Sequence, residues 1–317
     1  MPRRPRPPSD GPRARRQIYV ETLVRLAGED GVEAVWHLTQ DPLQHPRWDL
    51  RFTHITPERT AVDGAPAAGT TDSAVAGAAG HQRFRYEIRG PGALGHRWAL
   101  RGWGTSVGHR RDDDGHGTSA LRFHPDDALS PLGPGSGYWR YVPTDGGVRF
   151  LTGYDYEPGW GRLGAALDPV VVRPLVGWAT AWSFDRLRLW AEQGLDPSRS
   201  RDAAVALTAT RLAGVAAGAL LVARGVRDLI GRDGGAAGRV GAAGSVDSVG
   251  SVLGGLVLVA AAAGAPTPST VPSARRTLRQ PPDRRAARAP RSLATLAAPR
   301  TIPHAPAPPT DHQGAPA

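Results

Sequence analysis

Several short motifs in this chain carry residue types that do chemistry elsewhere, and their context decides whether they could do it here. Gly104, Thr105, Ser106, Val107 and Gly108 spell G-x-S-x-G. In a hydrolase that pattern sets a nucleophilic serine on a sharp strand-to-helix turn. Here HRRDDDGHG follows, a loop composition, so no nucleophile elbow is expected. Gly159, Trp160, Gly161, Arg162, Leu163 and Gly164 spell G-x-G-x-x-G between a strand-like and a helix-like stretch. A dinucleotide site also needs a parallel strand-helix-strand unit with an acid ending its second strand. This helix leads only to DPSRSRD, and a glycine-rich turn is the simpler reading. Asp112, Asp113, Asp114, Gly115, His116 and Gly117 form a fragment of a calcium-loop pattern without its twelfth-position Glu, which reads as a solvated hairpin tip. The ten histidines show no paired metal spacing, so neither a metal nor any other cofactor is expected.

Two absences narrow the chemistry further. Every basic residue is Arg, which excludes Walker A loops, Schiff-base lysines and kinase-type lysine clamps. There is no cysteine, hence no thiol catalysis, disulfide or cysteine-ligated zinc. Asp185 sits beside Arg186 and Arg188 in a helical stretch, which reads as a surface ion pair. No acid/base pair can be named from spacing.

The elements that would position any site lie between Tyr19 and Trp190, because every aromatic residue falls in that interval. Aromatic side chains bury the most area per residue, so the stretch dense in them is where a core can close. Charge follows the same partition. Residues 1–16 carry six Arg and one Asp, and residues 271–317 carry eight Arg and two Asp. Residues 17–200 hold nineteen Arg against twenty-two acids. The net +10 therefore belongs mainly to the tails, and a mildly acidic body argues against a dedicated nucleic-acid surface. The first sixteen residues lack an apolar stretch behind their charges, so a cytoplasmic location is expected.

Within the body, Gln17 to Arg25 alternates, with Ile18, Val20, Thr22 and Val24 on one side and Tyr19, Glu21 and Leu23 on the other, which predicts a strand. A helix follows from about Val32 and ends at Asp41-Pro42, and a short turn carries Trp48 and Asp49. Strands are predicted near 52–57, 72–77, 82–89, 96–107, 118–124, 137–143 and 147–157, with no helical periodicity between them, which implies an antiparallel sheet. Asp145-Gly146 supplies a hairpin turn that places Trp139, Tyr141, Phe150, Thr152 and Tyr154 on one face, with Arg140, Arg149 and Asp155 on the other. After Trp160 the pattern is helical to about Gln193, bent or interrupted at Pro169 and Pro174. Leu175, Trp178, Trp182, Asp185 and Leu189 share one stripe of that helix.

This order resembles the START-like superfamily, the SRPBCC group that includes polyketide cyclases/dehydratases and lipid-transport proteins. The similarity is carried by IYVETLVR, by EAVWHLTQD with Trp36, by HPRWD with Trp48 and Asp49, and by GWATAWSFDRLRLW, and it covers residues 17 to about 195. It implies an α+β helix-grip fold, an antiparallel sheet wrapped on a long C-terminal helix, with a largely apolar cavity between them for a lipid, polyketide or aromatic compound. Expected to line it are Trp103, Trp139, Tyr141, Phe150, Tyr154, Trp178 and Trp182, with Arg101 and Arg122 as polar groups. The same aromatics could instead fill the space. Binding of a small hydrophobic molecule is the leading function. A polyketide cyclase/dehydratase-like enzyme and a regulatory protein with a closed cavity are the alternatives.

Beyond the body, residues 203–223 contain a single charge, Arg211, and residues 248–265 contain none. Both lengths suit a membrane span, and Gly214/Gly218 and Gly250/Gly254 have the spacing of close helix contacts. Against insertion stand the weak drive of Ala and Gly and a cost of about 2.5–3.5 kcal/mol for one central Arg. Residues 200–265 thus read either as an Ala/Gly-rich hairpin tethering the body to the cytoplasmic face of an anionic membrane, or as a soluble extension. Residues 1–16 read as a disordered basic arm and 266–317 as a disordered Pro/Arg-rich tail.

Overall fold

A computed structural model describes residues 18–26, 28–58, 81–90, 99–109, 115–233, 242–283, 286 and 288–296. The basic arm, the expected strand at 72–77, the Asp112–Asp114 loop and the last 21 residues lie outside them.

The opening alternation becomes strand β1 (Ile18–Val24), with its β-branched positions facing inward. Helix α1 (Gly28–Gln40) and the single turn α2 (His45–Trp48) follow. Strands β2 (His54–Glu58), β3 (Gln82–Arg89), β4 (Ala99–His109), β5 (Gly117–Pro125), β6 (Leu132–Thr144) and β7 (Gly147–Pro158) then run as a meander. The sheet order is β1-β7-β6-β5-β4-β3-β2, and every pairing is antiparallel. From β2 to β7 each strand pairs with the next in the chain, which gives antiparallel neighbours directly, whereas parallel ones would need crossover connections. The β6–β7 register pairs Tyr141 with Phe150 and Trp139 with Thr152, so the aromatic face is the inner one. The left-handed position of that hairpin falls on Gly147, with φ +125°, where a Cβ would lie 2.2 Å from the Val24 carbonyl oxygen.

Helix α3 (Gly161–Leu167) passes through a π-type turn (Asp168–Val172) into α4 (Arg173–Gln193). The wider turn lies at Pro169 and just before Pro174, the two prolines that remove N–H donors from the ladder. Ala181, Phe184 and Leu187 of α4 enter the core, where Phe184 stacks on Phe150 at 4.6 Å between centroids and meets Trp48 edge-on at 6.1 Å. The inward stripe is therefore not the one carrying Trp178 and Trp182. Trp178 is 44% exposed and stacks on Trp182 at 6.3 Å. Helix α4 is covered on more than one side, so its buried face is broader than a single apolar stripe.

That cover also corrects the reading of Asp185 as a surface ion pair. Asp185 is fully buried, accepting from Arg188 Nε at 2.7 Å, from the Ser273 backbone N–H at 2.7 Å and from Arg276 Nη1 at 3.1 Å. Two of those partners come from the stretch assigned above to a disordered tail. The described residues between Thr267 and Leu296 instead strap the body. Leu278 exchanges both backbone hydrogen bonds with Glu21 on the free edge of β1. Tyr138 Oη donates to the Ala286 carbonyl at 2.8 Å, and Ala286, Leu293 and Leu296 pack on Tyr19, Val107, Ala120, Tyr138 and Leu151 of the outer sheet face. Composition concealed this because an apolar outer face needs only a few apolar side chains to cover it.

Helix α5 (Pro197–Asp233) and helix α6 (Ala242–Gly264) form an antiparallel pair. A Cβ at Gly218 would lie 2.6 Å from the Gly255 carbonyl oxygen, and one at Gly225 would lie 2.6 Å from that of Ser248. On α5 the expected small residues make the contact. On α6 it is Ser248 and Gly255, seven residues apart, while Gly250 and Gly254 face open space. Arg211 donates to the Ala265 carbonyl beyond the end of α6, so it sits at the base of the pair. Leu212, Leu220, Leu253, Leu256 and Val257 are all exposed. Both helices are long and apolar enough to cross a membrane. Arg186 Nε donates to the Pro197 carbonyl at 2.9 Å, joining α4 to the start of α5, and burial lowers this guanidinium to about 10.

Asp185→Ala should destabilise the full chain by about 3–5 kcal/mol, because it leaves Arg188 and Arg276 without their shared buried carboxylate. Denaturant unfolding monitored by tryptophan fluorescence measures this, and a loss under about 1 kcal/mol would contradict the structural role.

Candidate functional site

The inner face of the sheet is filled unevenly. Toward β1, β6 and β7 it carries Trp139, Tyr141, Phe150 and Tyr154. Toward β4 the inward positions are Gly102, Gly104, Ser106 and Gly108. A Cβ at Gly102 would fall 2.3 Å from the Tyr86 hydroxyl oxygen, and one at Gly104 would fall 2.1 Å from the Phe84 ring. The β3 aromatics therefore lie down across β4 instead of standing up toward the helix. Above them a cavity of about 360 Å³ remains, within the range of small-ligand sites. Its walls are mostly apolar: Phe52, Ile55, Ile88, Leu100, Leu121, Phe123, Leu132 and Trp139, with Leu175, Val176 and Ala179 from the first half of α4.

A buried polar cluster stands at one end. Arg51 grips Asp49 bidentately, Nε to Oδ1 at 2.9 Å and Nη2 to Oδ2 at 2.6 Å. His45, one helical turn before Asp49, reaches the same Oδ2 from Nε2 at 3.1 Å and stacks on Trp48 at 5.0 Å. The Arg51 guanidinium also lies 5.5 Å from the Tyr154 ring centre, and Tyr154 Oη shares a 2.8 Å hydrogen bond with Thr180 Oγ1. Burial alone would raise Asp49, but the adjacent Arg51 charge outweighs it and holds the carboxyl well below the usual range. Burial lowers His45, so its ring is neutral, and burial raises Tyr154. At the other side Tyr141 Oη meets Thr39 Oγ1 at 2.6 Å and accepts from Gln40 Nε2 at 2.7 Å, and burial pushes this phenol up as well.

Of the residues expected to line the cavity, Trp139 and Tyr154 do so, and Arg101 borders it as an exposed side chain with Glu87 at 3.6 Å. Tyr141 and Phe150 are packed behind the wall in the core. Trp103 is on the opposite face of the sheet, with the Arg85 guanidinium 3.7 Å above its ring. Arg122 is also on the outer face, donating to the Leu293 carbonyl at 3.3 Å. Trp178 and Trp182 are absent from the lining. Missed in the sequence were His45, Arg51, Phe84 and Tyr86. The available signals were the carboxylate-guanidinium spacing of Asp49 and Arg51 and the alternating small residues from Gly102 to Gly108. Ser106 lies within continuous strand, and Gly159–Gly164 runs from the β7-to-α3 turn into α3 beside an antiparallel sheet, so neither motif has the context its chemistry needs.

No family model matches the chain. It is 38% identical over 183 residues to an uncharacterised membrane protein, YndG, of Bacillus subtilis (strain 168), across 57% of this chain and 59% of that protein. The chain thus spans about three-fifths of that relative's length. Among solved structures it is similar to TTHA0849 from Thermus thermophilus, with 15% identity, 56% of this chain and 99% of that one covered, and a TM-score of 0.35.

The polar cluster makes stability depend on pH. His45 titrates near 6.5 when unfolded but resists protonation when folded, so its contribution is full above that value and falls as pH drops below it. The depressed Asp49 adds stability above its unfolded value near 3.9, which is lost at still lower pH. The melting midpoint should therefore fall between neutral pH and about pH 5 in the parent. His45→Asn should flatten that interval, and parallel curves for the two proteins would contradict the assignment.

Proposed function

We propose that this protein binds a small lipophilic molecule in a START-like, helix-grip cavity and holds that domain at the cytoplasmic face of a membrane through the α5–α6 pair. The observation that carries the reading is the apolar cavity of about 360 Å³ between sheet and helix, with few polar groups at its end. Apolar cavities of this size are the usual sites of small-molecule binding. The open volume speaks against the closed-cavity regulatory reading. Tethering is supported by the exposed apolar side chains along both helices, which soluble monomers rarely present in such continuity, and by the similarity to a membrane protein. Arg211 lies at the base of the pair, and the uncharged stretch of α5 up to Arg224 runs from 212 to 223, about 18 Å. Snorkelling of the two arginines extends that reach toward the interfaces.

A cyclase/dehydratase-like enzyme is the second reading, favoured by the His45–Asp49 pair beside the cavity. A neutral imidazole oriented by a carboxylate is suited to move a proton. Recovery of a bound compound chemically altered by the parent, and unaltered by His45→Asn, would select it.

Native mass spectrometry of the full chain released from detergent should show a lipophilic adduct, and Ala179→Trp, which fills the cavity from α4, should abolish the adduct without lowering the melting midpoint. An adduct indifferent to that substitution would place the ligand elsewhere. Cell fractionation should leave the full chain with membranes at both low and high salt, whereas wholly soluble protein would remove the tether and leave the cavity reading standing.

A further inference from the structure

Every charge on the described wall of the cavity is already answered from within the protein. Among the described residues, Arg51, Arg101 and His45 are the ionisable bases that line it, and no Asp or Glu does. Arg51 spends two donors on the buried carboxylate of Asp49, in a pair whose Asp49 side chain is fully enclosed. Arg101 extends outward, two-thirds exposed, toward Glu87. His45 directs Nε2 to Asp49 and is sandwiched by the rings of Trp48, Phe52 and Trp139 at about 5 Å. Three hydroxyls along the wall are engaged in the same way: Thr152 donates to the Tyr138 carbonyl, Ser130 to that of Leu132, and Tyr154 pairs with Thr180.

We infer that the ligand of this cavity is an uncharged lipophile, such as a long-chain alcohol, an ester or another neutral hydrocarbon-rich compound, and that ionised fatty acids and anionic lipid headgroups are excluded. This rests on the cavity-binding reading. An ionised carboxylate entering here would meet an arginine already neutralised at close range, so it would lose its hydration without gaining a counter-charge. Entering as the neutral acid would require taking up a proton near neutral pH, well above the ordinary carboxyl range. A neutral chain of the same length meets neither cost, and apolar burial alone drives it in. The Asp49–Arg51 pair thus acts as a filter by being closed on itself.

The test is competition on the full chain in non-ionic detergent near neutral pH. Tetradecanol, methyl tetradecanoate and tetradecanoate are supplied in equal amounts and counted as adducts by native mass spectrometry, with Ala179→Trp defining the cavity-bound fraction. The alcohol and the ester should each exceed the acid by at least about tenfold. Asp49→Asn, which leaves the Arg51 charge uncompensated, should raise the acid's share about tenfold. Equal binding of acid and alcohol by the parent would overturn the inference while leaving the cavity reading intact. A folded Asp49→Asn protein with an unchanged acid share would overturn it as well, and if that variant fails to fold, the parent's competition decides. No cavity-bound adduct of any kind would remove both the inference and the cavity reading.

Discussion

The uneven filling of one sheet face is the constraint on which the rest of the molecule depends. Phe150 and Trp48 pack against Phe184 of α4, with Trp139 packed against both of them, fixing where the helix crosses the sheet. Interiors pack to nearly crystalline density, so an aromatic contact of this kind sets the helix-to-sheet distance along the whole rod. Over β4 the inward glycines and Ser106 are too small to span that distance, and the Phe84 and Tyr86 rings lie against the strand. One end of the layer is therefore solid and the other hollow. The cavity is the difference between side-chain volumes on neighbouring strands beneath a helix held at one height.

Buried charge performs two different tasks around this frame. Asp185 joins α4 to the returning strap, since its partners come from both sides of the α5–α6 pair in sequence. Asp49 joins α2 to the cavity wall and keeps Arg51 occupied. Breaking either would strand an ion in a low-dielectric interior, so each fixes geometry more firmly than an apolar contact of equal area. The strap has a further consequence. Because the chain re-enters the body after α6, covering the β1 edge at Leu278 and the outer face at Leu293 and Leu296, the domain is joined to the helical pair by two chain segments, one entering α5 and one leaving α6. Such a domain has far less orientational freedom than one hung on a single linker.

Much of this was legible in the residues. Local alternation from Ile18 to Val24, the Asp145-Gly146 hairpin and the inward set Trp139, Tyr141, Phe150 and Tyr154 are short-range patterns, and the structure keeps them. Proline positions located the irregular turn in the α3–α4 rod because a missing N–H acts where it stands. The cavity lining was less accessible. Trp103 and Arg122 belong to the outer face by strand parity, and their size and charge drew attention that parity did not support. Trp178 and Trp182 carry large apolar area, yet the helix turns Phe184 and Leu187 inward in their place.

By itself the sequence determined approximately where the seven described strands fall, where the aromatic body ends, which chemistries are impossible without lysine and cysteine, and which two stretches are apolar enough to leave water. These follow from composition and from periods of two and 3.6 residues, which act over a few neighbours. Only the tertiary structure decided that Asp185 is buried, that the Pro/Arg-rich stretch is a strap, that Arg211 lies beside the end of α6 and that a hollow lies over β4. Each depends on what arrives from far along the chain. Burial is a property of a residue's distant neighbours, and no local period encodes who they will be.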